Sequence, residues 1–230
     1  MTATEQRVAL ITGASGGLGT VVTQVFLDAG TRVAGVSRSW KSPPAHPGFF
    51  ALNGDLASDG AVEKLFRETL AQWGRLDAVV HLAGGFAGGG ALDETPDQVW
   101  DEMLEVNLRT AVRLMRAAAP VMRRAGKGRL VLTGSRAGLS PAAGLSAYAA
   151  SKAALHAAVQ AASEEWKQFG ITVNAVLPGT IDTPANRAAM PDANPDQWVS
   201  PDSIASMILW LCSDAGAGVT GALIPMYGRS

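Results

Sequence analysis

The 230-residue chain has little of several features that mark particular classes of protein. Its single cysteine, Cys212, can form no intrachain disulfide, which favours a reduced, cytoplasmic location. The 19 basic residues nearly balance the 20 acidic ones, so no basic excess indicates a nucleic acid or an anionic membrane as partner. Residues 1–6 lack the order of a signal peptide, and no uncharged apolar run has the length of a membrane span. We therefore predict a soluble, cytoplasmic protein, and no residue is predicted to bind a metal.

Short apolar runs instead alternate with amphipathic stretches along the chain. Residues 7–12 are typical of a buried strand, and the glycine-rich residues 13–19 open a stretch with apolar residues at helical spacing. Further strands are predicted at about 32–37, 49–52, 78–83, 129–133, 171–177 and 222–224. The alternation predicts a single α/β domain over residues 1–230, a Rossmann-like doubly wound parallel sheet of about seven strands with helices on both faces.

Three local features carry predictions of their own. Ser58 can cap a helix that runs to about residue 73. Thr95 and Pro96 predict the start of one long helix, which Pro120 would kink near its end. The stretch from 180 to 198 is polar and punctuated by prolines, which predicts a mobile substrate flap at about 180–200.

Tyr148 and Lys152 have the spacing that places two side chains on one face of a helix. A positive charge about 4 Å from a phenol is worth roughly 4 kcal/mol at an effective dielectric of about 20, or about 3 pK units. The pair therefore predicts a tyrosine acidic enough for general acid catalysis near neutral pH. The alternative is a packing tyrosine and a solvated lysine on an alanine-rich helix.

Gly13, Gly17 and Gly19 stand between the first predicted strand and the first predicted helix. Glycines at such a turn let backbone amides approach a pyrophosphate at a helix N-terminus. The position favours dinucleotide binding over a turn that is merely tight.

Together these motifs resemble the short-chain dehydrogenase/reductase family over nearly the whole chain. The matching residues, in the family's order, are Thr12-Gly13-x-x-x-Gly17-x-Gly19, Asp55, Ala83-Gly84, Asn107, Ser135, Tyr148-x-x-x-Lys152, Asn174 and Pro178-Gly179-x-Ile181-x-Thr183. Several independent motifs in register are more specific than any one of them.

The resemblance implies a catalytic set of Asn107, Ser135, Tyr148 and Lys152. Tyr148 would donate a proton to a carbonyl oxygen, and Ser135 would hydrogen-bond the same oxygen. Lys152 would lower the pKa of Tyr148 and bind ribose hydroxyls, while Asn107 would hold a water that relays protons. Asn174 is predicted to be structural, and His81 to be a core histidine bonded to backbone.

The resemblance also implies the cofactor-binding residues. Asp55 and Leu56 would meet the adenine, Ile181 the carboxamide, and Thr183 the carboxamide or phosphate. The full predicted set is Gly13, Ser15, Gly17, Leu18, Gly19, Ser37, Arg38, Asp55, Leu56, Ala83, Gly84, Tyr148, Lys152, Pro178, Gly179, Ile181 and Thr183. At the end of the second strand, Ser37 and Arg38 replace the acid of NAD-preferring relatives and suit a 2′-phosphate. NADP(H) is therefore favoured over NAD(H), although Arg38 could instead be merely solvated.

The predicted substrate is a small carbonyl or alcohol, such as a 3-oxoacyl group or another ketone. Residues 82–89 and 182–191 resemble dihydropteridine reductase, so reduction of quinonoid pterins is a second possibility. Ketone reduction concentrates charge on one oxygen, and the presence of Ser135 favours it. A non-catalytic nucleotide-binding regulatory protein is a third. The alanine-rich helix that carries Tyr148, together with the family, predicts a homodimer or homotetramer.

Overall fold

Seven apolar segments form one parallel sheet in the computed structural model, which describes residues 6–229. The strands are β1 (Val8–Thr12), β2 (Arg32–Ser37), β3 (Phe49–Asn53), β4 (Ala78–His81), β5 (Gly128–Thr133), β6 (Ile171–Pro178) and β7 (Leu223–Met226). Their order across the sheet is β3-β2-β1-β4-β5-β6-β7. The predicted doubly wound sheet of about seven strands is confirmed. The order reverses between β1 and β4, where folds of this kind bind ligands beyond the carboxyl ends of the strands.

Helices cover both faces of the sheet. They are α1 (Gly17–Asp28), α2 (Ala61–Trp73), α3 (Asp97–Leu104), α4 (Thr110–Ala125), α5 (Ser146–Trp166), α6 (Pro184–Ala189) and α7 (Pro201–Leu211). Alternate residues of β1 enter different cores, as the twofold repeat of a strand requires: Leu10 packs with residues of α2, α4 and α5, and Ile11 with residues of α1 and α7. In the described part of the chain, none of the helices is both long enough and apolar enough to cross a bilayer.

The helix predicted from Thr95 is continuous from 97 to 125, but it is not one regular α-helix. Helix α3 begins only after Pro96, and the hydroxyl of Thr95 donates to the carbonyl of Ala91 instead of capping it. A π-helical turn at Glu105–Arg109 then separates α3 from α4. Helix α4 continues past Pro120, which is exposed, to Ala125; the kink at Pro120 stays a prediction.

The predicted cap at Ser58 is wrong. The residue before α2 is Gly60, in the left-handed conformation at φ +70°, and Ser58 accepts the Ala61 amide through its backbone carbonyl only. Two strand ends also differ from prediction, because β4 ends at His81 and β6 continues to Pro178. Signal-peptide features of residues 1–5 lie outside the described residues.

The predicted flap contains more regular structure than its sequence indicates. Helix α6 lies within the flap. The two ends of the flap are joined, because Ile181 and Val199 form an isolated parallel β-bridge. The Asp182 amide donates to the Val199 carbonyl at 3.0 Å. Its mobility stays a prediction.

Asn174 joins β6 to the segment that precedes β7. Its side chain is fully buried, its amide nitrogen donates to the Val219 carbonyl at 2.8 Å, and its carbonyl oxygen accepts from the Ala222 amide at 3.0 Å. The contacts agree with the structural role predicted from sequence.

Replacing Asn174 with alanine is expected to lower the free energy of unfolding by about 2 to 4 kcal/mol, because it leaves two partly buried backbone groups without their side-chain partner. Denaturant unfolding measures the change. Asn53→Ala, at an exposed position, is the control and should stay within about 0.5 kcal/mol. An equal, small effect of both substitutions would contradict the structural role of Asn174.

Candidate active site

The turn after β1 lies against the turns after β4 and β6. A Cβ on Gly13 would lie 2.9 Å from the Ala83 nitrogen, and one on Gly17 would lie 3.0 Å from the Cβ of Thr183. Three segments far apart in sequence therefore meet beyond the carboxyl ends of the strands. They include predicted cofactor residues from each segment.

The turn after β1 leaves no space for a side chain at Gly13 or Gly19. Gly13 has φ +70°, and a Cβ on Gly19 would lie 2.0 Å from the Gly13 carbonyl oxygen. Ser15 is exposed, whereas the side chain of Leu18 belongs to the core, so only its backbone can face a ligand. Bare backbone at the N-terminus of α1 fits the pyrophosphate of a dinucleotide.

Ser37 and Arg38 differ in their exposure. The Ser37 hydroxyl donates to the Ser39 carbonyl at 2.6 Å and lies 2.7 Å from the Ser15 hydroxyl, so its own proton is used within the protein. It can accept a hydrogen bond but does not point a free donor at a phosphate. Arg38, in contrast, is exposed. Asp55 is exposed beyond β3.

The turn after β6 is held mostly by its own backbone. Gly179 donates its amide to the Met226 carbonyl at 3.0 Å, just beyond the buried Pro178. The Ile181 carbonyl accepts from the Asn186 side chain at 2.8 Å, and the Thr183 hydroxyl caps α6. After β3, the predicted adenine-binding residue Leu56 is buried.

Tyr148, Ser135 and Lys152 come together at the start of α5. The Ser135 hydroxyl lies near enough to the Tyr148 phenol to lower its pKa. The Lys152 ammonium donates to the Thr133 carbonyl at 2.9 Å, and its nitrogen lies 5.9 Å from the centre of the Tyr148 ring. The Phe86 ring, 68% exposed, packs edge-on against Tyr148 with 5.0 Å between ring centres.

The pKa of Tyr148 is raised, which is the opposite of the direction predicted from its spacing to Lys152. Burial raises it, and the Ser135 hydroxyl lowers it only in part. Lys152 does not offset the effect of burial: its ammonium donates to the Thr133 carbonyl, and its nitrogen lies 5.9 Å from the centre of the phenol ring. Burial in turn lowers the pKa of Lys152 itself to about 8.

Asn107 lies in the π-helical turn and ties two segments together. Its carbonyl oxygen accepts from the Gly85 amide at 3.0 Å, and its amide nitrogen donates to the Gly85 carbonyl and the Ser151 hydroxyl, each at 3.1 Å. A Cβ on Gly84 would lie 2.8 Å from that carbonyl oxygen and 3.5 Å from the Lys152 nitrogen. The Asn107 side chain thus positions the turn after β4 next to Lys152. The predicted water stays a prediction.

Two buried histidines flank the site. His81 is 2% exposed, and its Nδ1 shares a hydrogen bond of 2.8 Å with the Thr12 hydroxyl, where sequence predicted a backbone partner. Burial, helped by the positive charge of Lys152, lowers the pKa of His81 to about 3. His156 receives the amide of Ser135 on its Nε2 at 3.3 Å. Sequence reasoning missed His156, although it follows Lys152 at the same four-residue spacing that singled out Tyr148.

The family model described as short chain dehydrogenase matches residues 7–194, which is most of the chain. The chain belongs to this family. A short chain dehydrogenase of Emericella variicolor, andC, is 34% identical over 241 residues, covering 96% of this chain and 96% of that protein. The 3-oxoacyl-(acyl-carrier-protein) reductase FabG of Escherichia coli (strain K12) is 29% identical over 237 residues, covering 97% of each. The solved structure of ElxO with NADP bound has a TM-score of 0.91 at 24% identity, covers 97% of this chain and 98% of that chain, and supports the fold.

Membership in the short chain dehydrogenase family makes the protein an NAD(P)-dependent oxidoreductase. The structure brings predicted site residues together from the turns after β1, β4, β5 and β6 and from α5, and their roles stay predictions. The exposed alanines of α5, at 150, 153, 157 and 161, lie on one helix face, but oligomerisation stays a prediction.

Replacing Lys152 with methionine is expected to change how the free energy of unfolding depends on pH. A lysine in the unfolded chain has a pKa near 10.4, so with a pKa of about 8 the folded protein loses this proton first. The stability of the parent should therefore rise relative to the variant between about pH 8 and 10, by up to about 3 kcal/mol, and the difference should be constant below about pH 8.

Urea unfolding at a series of pH values measures this difference. Lys167→Met, at the exposed end of α5, controls for the loss of one positive charge. A difference between parent and Lys152→Met that stays constant from about pH 7 to 10 would show that the Lys152 amine is not buried.

Proposed function

We propose that the protein transfers hydride between a nicotinamide cofactor and a small carbonyl or alcohol, with Tyr148 as the general acid and base. The nearness of the Ser135 hydroxyl to the Tyr148 phenol carries this proposal. Because the two hydroxyls already lie near each other, one carbonyl oxygen placed between them could accept from both.

Each residue has a distinct part in this reaction. A bound nicotinamide would supply or accept the hydride. In reduction, Tyr148 gives its proton to the carbonyl oxygen, and Ser135 donates a hydrogen bond that stabilises the charge developing there. In oxidation, Tyr148 takes the proton of the alcohol back. The raised pKa of Tyr148 keeps it protonated at neutral pH, which suits the acid role in reduction.

Lys152 is suited to hold ribose hydroxyls and to keep a positive charge near the phenol. Its ammonium has three donors, and one of them is used on the Thr133 carbonyl. The space next to it is kept open because Gly84 has no side chain. With a pKa of about 8, Lys152 is mostly charged at neutral pH and can still exchange a proton.

We propose NADP(H) as the preferred cofactor. Arg38 is exposed just beyond β2, and no acid stands at Ser37 to bind a ribose diol. A guanidinium there suits a 2′-phosphate through charge-assisted hydrogen bonds. ElxO, which shares the fold, has NADP bound in its structure.

The substrate we propose is a ketone, with 3-oxoacyl groups as the first class to test. The similarity to a 3-oxoacyl-(acyl-carrier-protein) reductase supports it, and so does the exposed face of Phe86 next to Tyr148, which offers apolar contact to a carbonyl compound. A panel of 3-oxoacyl thioesters, aldehydes, ketones and quinonoid dihydropterin, followed by cofactor absorbance, tests the class. Turnover of quinonoid dihydropterin and of no other compound would show that the substrate is a pterin and not a ketone. A cofactor that binds while no substrate turns over would favour a regulatory role.

Tyr148→Phe is expected to lower turnover by about 10²-fold to 10⁴-fold, because it removes the proton donor and keeps the ring. Cofactor affinity, measured by fluorescence titration, should change little. The chain offers a matched control in its only other tyrosine, because Tyr227→Phe also removes one hydroxyl. Turnover of Tyr148→Phe equal to that of the control would refute the mechanism.

Arg38→Ala is expected to raise the KM for NADPH by about 10-fold to 100-fold and to leave the KM for NADH nearly unchanged. A hydrogen bond to a charged group contributes about 1.5 to 3 kcal/mol, and the variant loses this contribution at the phosphate only. Arg32→Ala, at the opposite end of β2, is the control. A parent enzyme that prefers NADH, or equal effects on both cofactors, would refute the role of Arg38.

A further inference from the structure

We propose that His156 is a positioning residue, which holds Ser135 in place for Tyr148 by accepting the Ser135 amide proton on its neutral ring. The proposal rests on the proposed function, because it assigns to Ser135 and Tyr148 the roles given above. It adds a second contact from α5 to the same catalytic group. Tyr148 meets Ser135 through its side chain, and His156 meets it through its backbone.

The position of His156 on α5 makes this contact direct. It follows Lys152 by four residues and Tyr148 by eight, so the three side chains share one side of the helix. His156 is 3% exposed, and its Nε2 lies 3.3 Å from the Ser135 nitrogen. Ser135 in turn caps the short 3₁₀ turn Arg136–Gly138, because its hydroxyl accepts from the Ala137 amide at 3.2 Å.

The segment around Ser135 is shaped to the imidazole ring. A Cβ on Gly134 would lie 2.4 Å from Nε2 of His156, and a Cβ on Gly138 would lie 2.5 Å from its Cε1. Any side chain at these two glycines would push the ring away or displace the turn. The ring therefore fixes the backbone on both sides of Ser135, and not the amide alone.

The hydrogen bond also dictates the tautomer. Nε2 can accept only if the single proton of the neutral ring is on Nδ1. Nδ1 is buried and has no hydrogen-bond partner among the described residues. A buried donor without a partner lowers the stability of the fold, so His156 is destabilising in this respect. The benefit that offsets it is an acceptor at the Ser135 amide.

A neutral ring is essential to the contact, because a protonated ring would present N–H to N–H at Ser135. Of the titratable groups on the two elements that hold the ring, Lys152 lies one turn before it on α5 and its charge acts on the ring, Tyr148 lies two turns before it, and Arg136 is on the 3₁₀ turn after Ser135. Burial, together with the positive charge of Lys152, lowers the pKa of His156 to about 4. The ring thus stays neutral wherever the enzyme would work at neutral pH.

The first test reads the tautomer without any substrate. The chain has three histidines, so ¹⁵N-labelled protein gives three imidazole spin systems, and His156→Gln identifies the one from His156. We expect a protonated Nδ1, an unprotonated Nε2, and a scalar coupling between Nε2 and the Ser135 amide nitrogen. A proton on Nε2 at neutral pH would overturn the proposal.

The second test measures the effect on Tyr148 in the cofactor-free protein. The ¹³Cζ signals of the two tyrosines are followed against pH, with Tyr148→Phe for assignment. Loss of the Ser135 hydroxyl in Ser135→Ala should raise the pKa of Tyr148 further, by about half a unit to one unit. His156→Leu fills the space but accepts nothing, and should give a rise in the same direction. His156→Gln, which offers an acceptor at the place of Nε2, should restore most of the parent value.

The third test applies once a substrate from the panel turns over. His156→Leu should lower kcat by about tenfold or more and leave the KM for cofactor within about twofold, because Ser135 acts on the reacting oxygen. His156→Gln should recover most of kcat. Equal kcat and equal Tyr148 pKa in parent and His156→Leu would leave the ring with a packing role only and refute the proposal.

The outcomes separate this proposal from the proposed function. If no substrate turns over with the parent, the function fails, and the tautomer and the Tyr148 titration still decide the role of His156. If His156→Leu does not fold, the tautomer of the parent and the titration of His156→Gln decide it. A His156→Gln variant that folds but shifts the Tyr148 pKa as far as Ser135→Ala would also refute it.

Discussion

The site depends on keeping one positively charged amine inside the protein. Lys152 is 5% exposed, and the carbonyl at the end of β5 accepts from its ammonium. A buried charge is costly unless polar groups surround it, and it makes a second positive charge nearby more costly still. The two histidines beside it are accordingly held neutral. Among residues 6–229, Lys152 is thus the single buried lysine or arginine, and the groups around it are acceptors, hydroxyls or bare backbone.

This arrangement explains why the glycines cluster where they do. At Gly13 the backbone approaches the turn after β4, and at Gly84 the absence of a side chain keeps the space beside Asn107 and the ammonium open. At Gly134 and Gly138 the absence of a side chain leaves space for the His156 ring. Each close approach brings polar backbone to a place where a side chain would otherwise stand. Rigidity and access for a ligand therefore come from the same residues.

The sequence was sufficient for the sheet, the glycine turn and the pair Tyr148 and Lys152, because each follows from local periodicity or local spacing, whereas Ser135 joined them only through the resemblance to a family. It was not sufficient for properties set by burial. The pKa of Tyr148 is raised because the phenol is buried, and the Lys152 ammonium is held by the end of β5, 19 residues earlier. The π-helical turn around Asn107 has no local signal either, since its side chain is held by a loop 22 residues away.

That π-helical turn has a consequence for how the chain can vary. A π turn holds one residue more than the α-helical turn it replaces, and each residue of an α-helix advances the helix by about 100°. Helices α3 and α4 are therefore out of phase with each other, although they follow without a break. Deletion of a single residue between 105 and 109 would make the two helices continuous and turn either Asn107 or the apolar stripe of α4 to the wrong side. Insertions and deletions should be far less tolerated in these five residues than in the exposed turns before α3.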